Sequence, residues 1–244
     1  MTAGARLDVR GLEVRYGLVV ALHPTSFTLE PGRVLGVLGP NGAGKTSLAN
    51  ALSGLIPSTA EAVTLGDADI DGLAPEHRAR LGIGHLPDSR AIFPSLTVAE
   101  NLTMFFHRTR APGRREIVDR AYETFPALAR RRGLAARKLS GGEQQMLAFS
   151  RLLLAPPKLL VVDELSHGLA PGIVAQLFEA LARLKGECSM IVIEQYVSRA
   201  LELADEVIVL SHGDVQHRGP ASELTDEMAS ALYELHVEAP ATAG

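Results

Sequence analysis

Apolar positions along this chain change their spacing from segment to segment, and each change marks a different kind of element. Leu7, Val9, Leu12 and Val14 are set among polar residues, and Phe27 and Leu29 resume the alternation after a turn-rich gap. That spacing predicts antiparallel strands. Arg33–Leu38 (RVLGVL) is a short apolar run followed by Gly39, as suits a strand buried on both faces. A helix is predicted over Lys45–Leu52, a short one over Pro75–Leu81, and a strand over Ile83–Leu86. From Pro87 to Pro157 the pattern turns helical. Thr97 with Glu100 three residues on forms a capping box, and helices are predicted over 114–125 and 140–154. Strand and helix then alternate again: LLVVDE (159–164), a helix over 171–184, and MIVIE (190–194). EVIVL (206–210) and DVQHR (214–218) form a hairpin-type pair across Ser211–Gly213. The pattern describes a parallel α/β core interrupted by a helical insertion and preceded by an antiparallel sheet.

Composition narrows the picture without changing it. A length of 244 residues suits one α/β domain, or one with an insertion, and 46% hydrophobic residues suffice for a well-buried core. A net charge of −4 gives no global pull toward nucleic acid. The single cysteine, Cys188, can form no internal disulfide, which fits a reducing compartment. The opening MTAGARLDVRGLEV lacks the apolar run of a signal peptide, and the longest apolar candidate, Leu152–Val162, is broken by Pro156, Pro157 and Lys158. A soluble chain is expected, and any link to a membrane would go through a partner.

The candidate chemistry starts at Gly39, Pro40, Asn41, Gly42, Ala43, Gly44, Lys45 and Thr46, which match G-x-x-x-x-G-K-[ST] in full between a predicted strand and a predicted helix. Glycines let consecutive backbone N–H groups curl around phosphate oxygens, and the helix start, from Lys45 through Ser47, adds its dipole. Lys45 would bridge the β- and γ-phosphates of a nucleotide and Thr46 would ligate Mg²⁺. A chance glycine turn before a helix would explain the loop alone, but it does not explain the full motif in its context. LLVVDE supplies a second half. Asp163, at the C-terminal end of a buried strand, would hold Mg²⁺ through water, and Glu164 is placed to polarise an attacking water as general base. A strand ending in acids is weak evidence by itself; paired with the glycine loop it is strong.

A second helix start, LSGGEQQ from Leu139, has Ser140 as a natural N-cap and two glycines that leave backbone N–H groups uncovered. A capped helix with a loose first turn would look the same. As it stands, however, the string resembles the signature sequence of ATP-binding-cassette (ABC) ATPases. In that family two ATPase units dimerise head to tail, and each signature covers the γ-phosphate of the ATP held by the other. By this resemblance Leu139, Ser140, Gly141, Gly142, Glu143 and Gln144 would face the partner's nucleotide. The implied fold is α/β: a P-loop NTPase core with a RecA-like parallel sheet, an N-terminal antiparallel β subdomain and a helical signature subdomain. The whole chain, 1–244, would be a single ABC ATPase domain, with 1–86 and 158–238 as the core, 87–157 as the helical subdomain and 239–244 as a tail.

IFPSLTVAENL, ETFPALARRR, LSGGEQQMLA and the DELSHGLAP run further resemble LivF-type subunits of branched-chain amino acid importers, whose relatives serve urea, amides and aromatic acids. The resemblance implies ATP and Mg²⁺ as cofactors and a place on the cytoplasmic face of the plasma membrane. It also implies two transmembrane permease subunits, a second, non-identical ATPase subunit and, indirectly, a solute-binding protein. The residues themselves leave open whether the two ATPase copies are identical.

Several positions depart from the general family pattern. Asp88, in HLPDSR, stands where a glutamine is usual; it could still face Mg²⁺ through water, but it is shorter and charged. Gln195 stands in place of a switch histidine and would position the γ-phosphate without acid–base work. Ala170 replaces an interface aspartate, and Leu165 a proline. Tyr16, in VRYG, matches the aromatic residue that stacks on adenine, although a tyrosine on an edge strand is common anyway. The segment His107–Lys138 is rich in Lys and Arg with few aromatics, so no specific nucleic acid is expected. A solvated face is the plainer reading, and attraction to an anionic leaflet centred on Arg130, Arg131 and Arg132 is the milder functional one. The eight histidines, His85 among them, show no metal-ligand spacing.

Three functional readings follow. The first is a transporter motor. The second is a soluble ABC ATPase acting on DNA, ribosomes or Fe–S assembly, disfavoured because there is neither a second cassette nor a long coiled coil. The third is a slow regulatory cassette completing a partner's site, which Asp88, Ala170 and Gln195 favour and Glu164 opposes.

Overall fold

The computed structural model describes residues 4–89, 91–104, 114–154, 157–195, 197–225, 227–228 and 231. The expected tail at 239–244, Tyr196 and the start of the basic segment at 107–113 lie outside the described residues.

Strands β1 (Leu7–Tyr16) and β2 (Val19–Leu29) form an antiparallel hairpin. Its inward residues are Leu7, Val9, Leu12 and Val14, and the step from 9 to 12 breaks strict alternation. The structure resolves the break with a register shift between Val9 and Leu12, where Gly11 takes φ 58° and its N–H donates to Ser26 Oγ at 2.9 Å. Such a bulge returns Leu12 to the buried face. After β3 (Val34–Leu38), the short strands β4 (Ala62–Leu65) and β5 (Ala68–Asp69) complete a four-stranded sheet in the order β2-β1-β4-β5.

The second sheet adds β6 (Ile83–Leu86), β7 (Leu159–Asp163), β8 (Ser189–Glu194), β9 (Glu206–Ser211) and β10 (Asp214–Pro220) to β3, in the order β10-β9-β3-β8-β7-β6. Strand β3 runs parallel to both β8 and β9, and β7 runs parallel to β8, while β10 pairs antiparallel with β9. Every residue of β3, β7 and β8 is buried, which is why their sequences are apolar apart from Ser189 and the acids that close β7 and β8. Helix α1 (Lys45–Leu52) sends Leu48 and Leu52 into one cluster with Leu7 and Val14 of the first sheet and Val161 and Ile191 of the second. On the opposite face, α8 (Val197–Leu203) packs Ala200 against Leu38, Val207 and Val209. Helix α2 (Pro75–Leu81) lies between β5 and β6 in the sequence.

The described chain divides into two compact units, one of Met1–His85, Lys158–Glu164 and Lys185–Gly244, the other of Leu86–Pro157 and Leu165–Leu184. The second unit holds α3 (Val98–Thr103), α4 (Arg114–Thr124), α5 (Pro126–Arg130), α6 (Gly141–Leu154) and α7 (Pro171–Ala182). The segment around α7 thus falls in with the helices, whereas the sequence pattern groups 158–238 as one core. Helix α6 is the centre of the unit: α3, α4, α5 and α7 all pack on it, and its Phe149 meets Phe125 edge-on with ring centroids 5.9 Å apart. The predicted capping box opens α3, with Glu100 N–H donating to Thr97 Oγ1 at 3.2 Å and Thr97 N–H to the Glu100 carboxylate at 2.7 Å.

Candidate functional site

The glycine loop joins β3 to α1 inside the first unit, and its shape needs glycine at its ends. Gly39 has φ 152° and a Cβ there would sit 2.2 Å from Leu210 O; Gly44 has φ 100° and a Cβ there would sit 2.4 Å from Ala21 O. The loop is pinned by neighbouring backbone, Gly213 N–H donating to Ala43 O at 3.0 Å and His23 N–H to Gly213 O at 2.9 Å. Gly44 is the N-cap of α1 and supplies no side-chain cap, so no cap side chain takes up the first N–H groups of the helix. They border a cleft of about 260 Å³ lined by Ala21, the segment Gly42–Ser47 and Glu164. Thr46 is exposed in it. That is the arrangement that receives an anion.

Lys45 is 3% exposed, and its ammonium donates to Gly39 O at 2.7 Å and Pro40 O at 3.0 Å, with the Glu164 carboxylate 3.6 Å away. Burial pushes its pKa below the ordinary lysine value, opposed by the carboxylates of Glu164, Asp163 and Glu194. Asp163 is the last residue of β7, 2% exposed. Glu164 follows it with φ 49°, unusual for a residue with a side chain, and its N–H donates to Ile193 O at 2.9 Å. That bond ties the turn after β7 to β8, beyond which Gln195 is exposed. Tyr16, 51% exposed, ends β1 in the hairpin whose other strand supplies Ala21 to the cleft. The first unit therefore brings together the loop, Lys45, Thr46, Asp163 and Glu164.

Two buried charged residues of the first unit are scarcely marked in the sequence pattern. Glu194, 1% exposed at the end of β8, is a third carboxylate acting on Lys45; only the acid closing MIVIE hints at it. Arg78, on α2 and 4% exposed, donates through Nη1 to Ala51 O at 2.7 Å and Leu52 O at 2.9 Å, and through Nε to Leu73 O at 3.0 Å. It satisfies carbonyls at the C-terminus of α1 and places a cation there, where the helix dipole favours one.

The second unit carries Asp88 and the LSGGEQ stretch. Asp88 is exposed and its carboxylate lies 3.9 Å from His167 Nδ1. It lines a groove of about 390 Å³ with Ser89, Ile92, Pro94, Arg137 and Gln144. Leu139 is buried, and Ser140 caps α6 in a second box: Ser140 N–H donates to Glu143 Oε2 at 2.9 Å and Glu143 N–H to Ser140 Oγ at 3.3 Å. Gln144 donates to Ala136 O and Leu139 O, both at 3.2 Å. Glu143 Oε1 lies 2.6 Å from Arg131 Nε. Arg131, the middle of the arginine triplet, is therefore engaged by a carboxylate. Asn101, fully buried, accepts from Phe93 N–H at 2.9 Å and donates to Phe93 O, Leu96 O and Thr97 O. Arg151 of α6 reaches Ala91 O and lies 5.7 Å from the Phe93 ring centroid, so the segment leading into α3 is fastened to the helix that LSGGEQ begins.

The donors at the first site are a hydroxyl and carboxylates, hard oxygen ligands that suit Mg²⁺. Among the described residues no cluster of three or more His, Cys, Asp or Glu could hold a metal by itself, and no helix is long and apolar enough to cross a membrane.

The profile of the family described as ABC transporter matches residues 22–167. The chain is similar to the high-affinity branched-chain amino acid transport ATP-binding protein BraG of Pseudomonas aeruginosa, with 37% identity across 89% of this chain and 94% of that one. It is 33% identical to a probable branched-chain amino acid transport ATP-binding protein, LivF, of Archaeoglobus fulgidus, over 88% of this chain and 92% of that one. A nucleotide-free ATP-binding cassette from an ABC transporter superposes with a TM-score of 0.76 and 25% identity, covering 96% of this chain and 98% of that one.

Proposed function

We propose, from the premise that this chain belongs to the ABC transporter family, that it powers an importer of branched-chain amino acids or of related small solutes such as urea, amides or aromatic acids. The chain is an ATP-binding, ATP-hydrolysing transporter subunit with the fold of an ABC ATPase cassette. In our reading it works on the cytoplasmic face of the plasma membrane, under two permeases and beside a second, non-identical cassette, with a solute-binding protein delivering the substrate. Branched-chain amino acids come from the likeness to BraG and LivF; urea, amides and aromatic acids come from the sequence resemblance alone. The observation that carries the chemistry is the Lys45–Glu164 pair, 3.6 Å apart at the mouth of the glycine loop.

Backbone N–H groups of the loop and the start of α1 take the phosphates, and Tyr16 offers a face for the base. Lys45 exchanges its carbonyl partners for phosphate oxygens. Thr46 and Asp163 would hold Mg²⁺, which would offset phosphate charge; Asp88 is a further candidate on the sequence alone. Glu164 takes the proton of the attacking water, and Gln195 hydrogen-bonds the γ-phosphoryl oxygens. Leu139–Gln144 covers the nucleotide of the partner cassette. ATP then favours the closed pair of cassettes by binding it more tightly than the open one.

The test is purification of the tagged chain from its native membranes in mild detergent, with its partners identified by mass spectrometry. Two multi-span permeases and a different cassette support the importer, and uptake assays with the recovered complex then name the solute. Recovery of soluble or nucleic-acid partners alone would sink it. One observation favours a slower, regulatory role: Ala170 opens α7 with no side-chain cap bond, at the position where the family carries a charged interface residue.

A further inference from the structure

The start of α6 holds a contradiction. A helix N-terminus meant to receive a phosphate carries a carboxylate, Glu143, on its first turn. That charge would repel the incoming anion at short range. The structure also shows what occupies the carboxylate. Its Oε2 accepts the Ser140 N–H at 2.9 Å, and its Oε1 lies 2.6 Å from Arg131 Nε. Glu143 N–H in turn donates to Ser140 Oγ at 3.3 Å.

We propose that Arg131 is a positioning residue for the LSGGEQ stretch: it holds and neutralises Glu143, which fixes Ser140 with its hydroxyl free to donate to a phosphate oxygen. This rests on the reading of Leu139–Gln144 as the cover of the partner cassette's ATP. The steps follow from the hydrogen bonds. A serine oxygen that accepts an N–H has its own proton left for a further acceptor, and Ser140 is exposed. With both carboxylate oxygens of Glu143 engaged, the first turn offers the anion a hydroxyl and backbone N–H groups instead of an uncompensated negative charge. Arg131 is itself fixed by the chain. It caps the end of α5, its N–H donating to Leu128 O at 3.0 Å, and Leu134 N–H donates to its carbonyl at 2.8 Å. The guanidinium is therefore delivered to Glu143 by the turn that ends α5.

The experiment is a double-mutant cycle on ATP turnover by the transporter complex purified through this chain, with Arg131→Ala, Glu143→Gln, the double variant and Ser140→Ala. Glutamine keeps the acceptor for the Ser140 N–H but carries no charge, so it removes the need for a counter-ion. Arg131→Ala is expected to lower kcat roughly tenfold in the native background, as when a single charge interaction is missing at the transition state, and by less than about twofold when Glu143 is already Gln. An effect of Arg131 that does not run through Glu143 would cost the same in both backgrounds, and that result, no cost in either, or a kcat loss matched by a loss of folded complex in a thermal melt, would overturn the proposal. Ser140→Ala separates the layers. If it cripples turnover while Arg131→Ala does not, only this inference fails; if it leaves turnover intact, the reading of the LSGGEQ stretch fails and this inference with it.

Discussion

Two helices in this molecule begin at a glycine-rich stretch, and they begin in opposite ways. At α1 the N-cap is Gly44, with no side-chain cap and a φ of 100°. At α6 the cap is Ser140, closed on Glu143 in a reciprocal box, and neither glycine that follows takes a positive φ. The first start leaves its N–H groups for something outside the chain and surrounds them with Lys45, Thr46 and Glu164. The second satisfies part of its own N–H set, neutralises its own carboxylate, and leaves one exposed hydroxyl beside two glycines. A site that holds its ligand alone must carry the full set of counter-charges and catalytic groups. A surface that meets a ligand already held elsewhere needs only donors in fixed positions. The difference fits a division of labour in which one stretch binds and the other covers.

The largest way to break that comparison is Glu164→Gln. Loss of the proposed general base should reduce ATP turnover at least about 100-fold while ATP stays bound, read by phosphate release alongside nucleotide retention. Unchanged turnover by the complex would move hydrolysis to the partner cassette and favour the regulatory reading.

The glycines come next. Gly44→Ala asks a residue with a side chain to adopt φ 100° with its Cβ 2.4 Å from Ala21 O, a backbone atom with nowhere to go. A loss of roughly 2–3 kcal/mol in stability and at least a tenfold loss in ATP affinity are expected, from thermal melts and equilibrium dialysis. Gly142→Ala meets Cγ1 and Cγ2 of Ile173 at 3.0 Å, side-chain rather than backbone atoms, inside a helix where alanine is the better former. Its stability should stay within about 1 kcal/mol of the native chain. Equal destabilisation at both positions would remove the contrast between the two helix starts.

Support behind the second start is tested by Asn101→Ala. That buried amide bonds Phe93, Leu96 and Thr97, and its removal strands backbone groups in the segment that Arg151 ties to α6. A cost of about 2–3 kcal/mol is expected in chemical denaturation; a change below about 0.5 kcal/mol would mean that water satisfies those groups.

What is legible in the sequence is what local chemistry determines. The glycine loop, the buried strands β3, β7 and β8 and the Thr97–Glu100 box are each encoded within a few residues, and the helix expected over Lys45–Leu52 has those limits. The step from Val9 to Leu12 even records the bulge at Gly11, although only the pairing with β2 shows that a bulge is what it means. The short elements β4, β5, α5 and α8, two to seven residues long, are not legible, because so few residues hold little of any period to announce it. Arg78 on the end of α1, Glu194 beside Lys45 and Arg131 against Glu143 are hidden for another reason. Each joins positions that only packing brings together, and an arginine looks the same in a sequence whether it faces solvent, a helix end or a carboxylate.

Acid should separate the two units with the smallest of these effects. In the first, burial pushes the His85 imidazole from 6.5 down to about 4, and neither ring nitrogen has a hydrogen-bond partner among the described residues. Its folded pKa lies below its unfolded one, so the folded state favours the neutral ring. Stability is then complete above the unfolded value and falls as pH drops from there toward the folded value, by about 1 kcal/mol at roughly pH 5.5. In the second unit, Glu100 has its pKa lowered from 4.5 by the Thr97 N–H and then by the Thr97 hydroxyl. Its contribution is present above that ordinary value and disappears only below it. Melting temperature against pH should therefore show an early decline between about 6.5 and 5 that His85→Gln abolishes, and a later one below about 4.5 that Glu100→Gln reduces. An early decline that survives His85→Gln would show that the ring does not set it, and that the first unit carries no acid sensitivity distinct from that of the second.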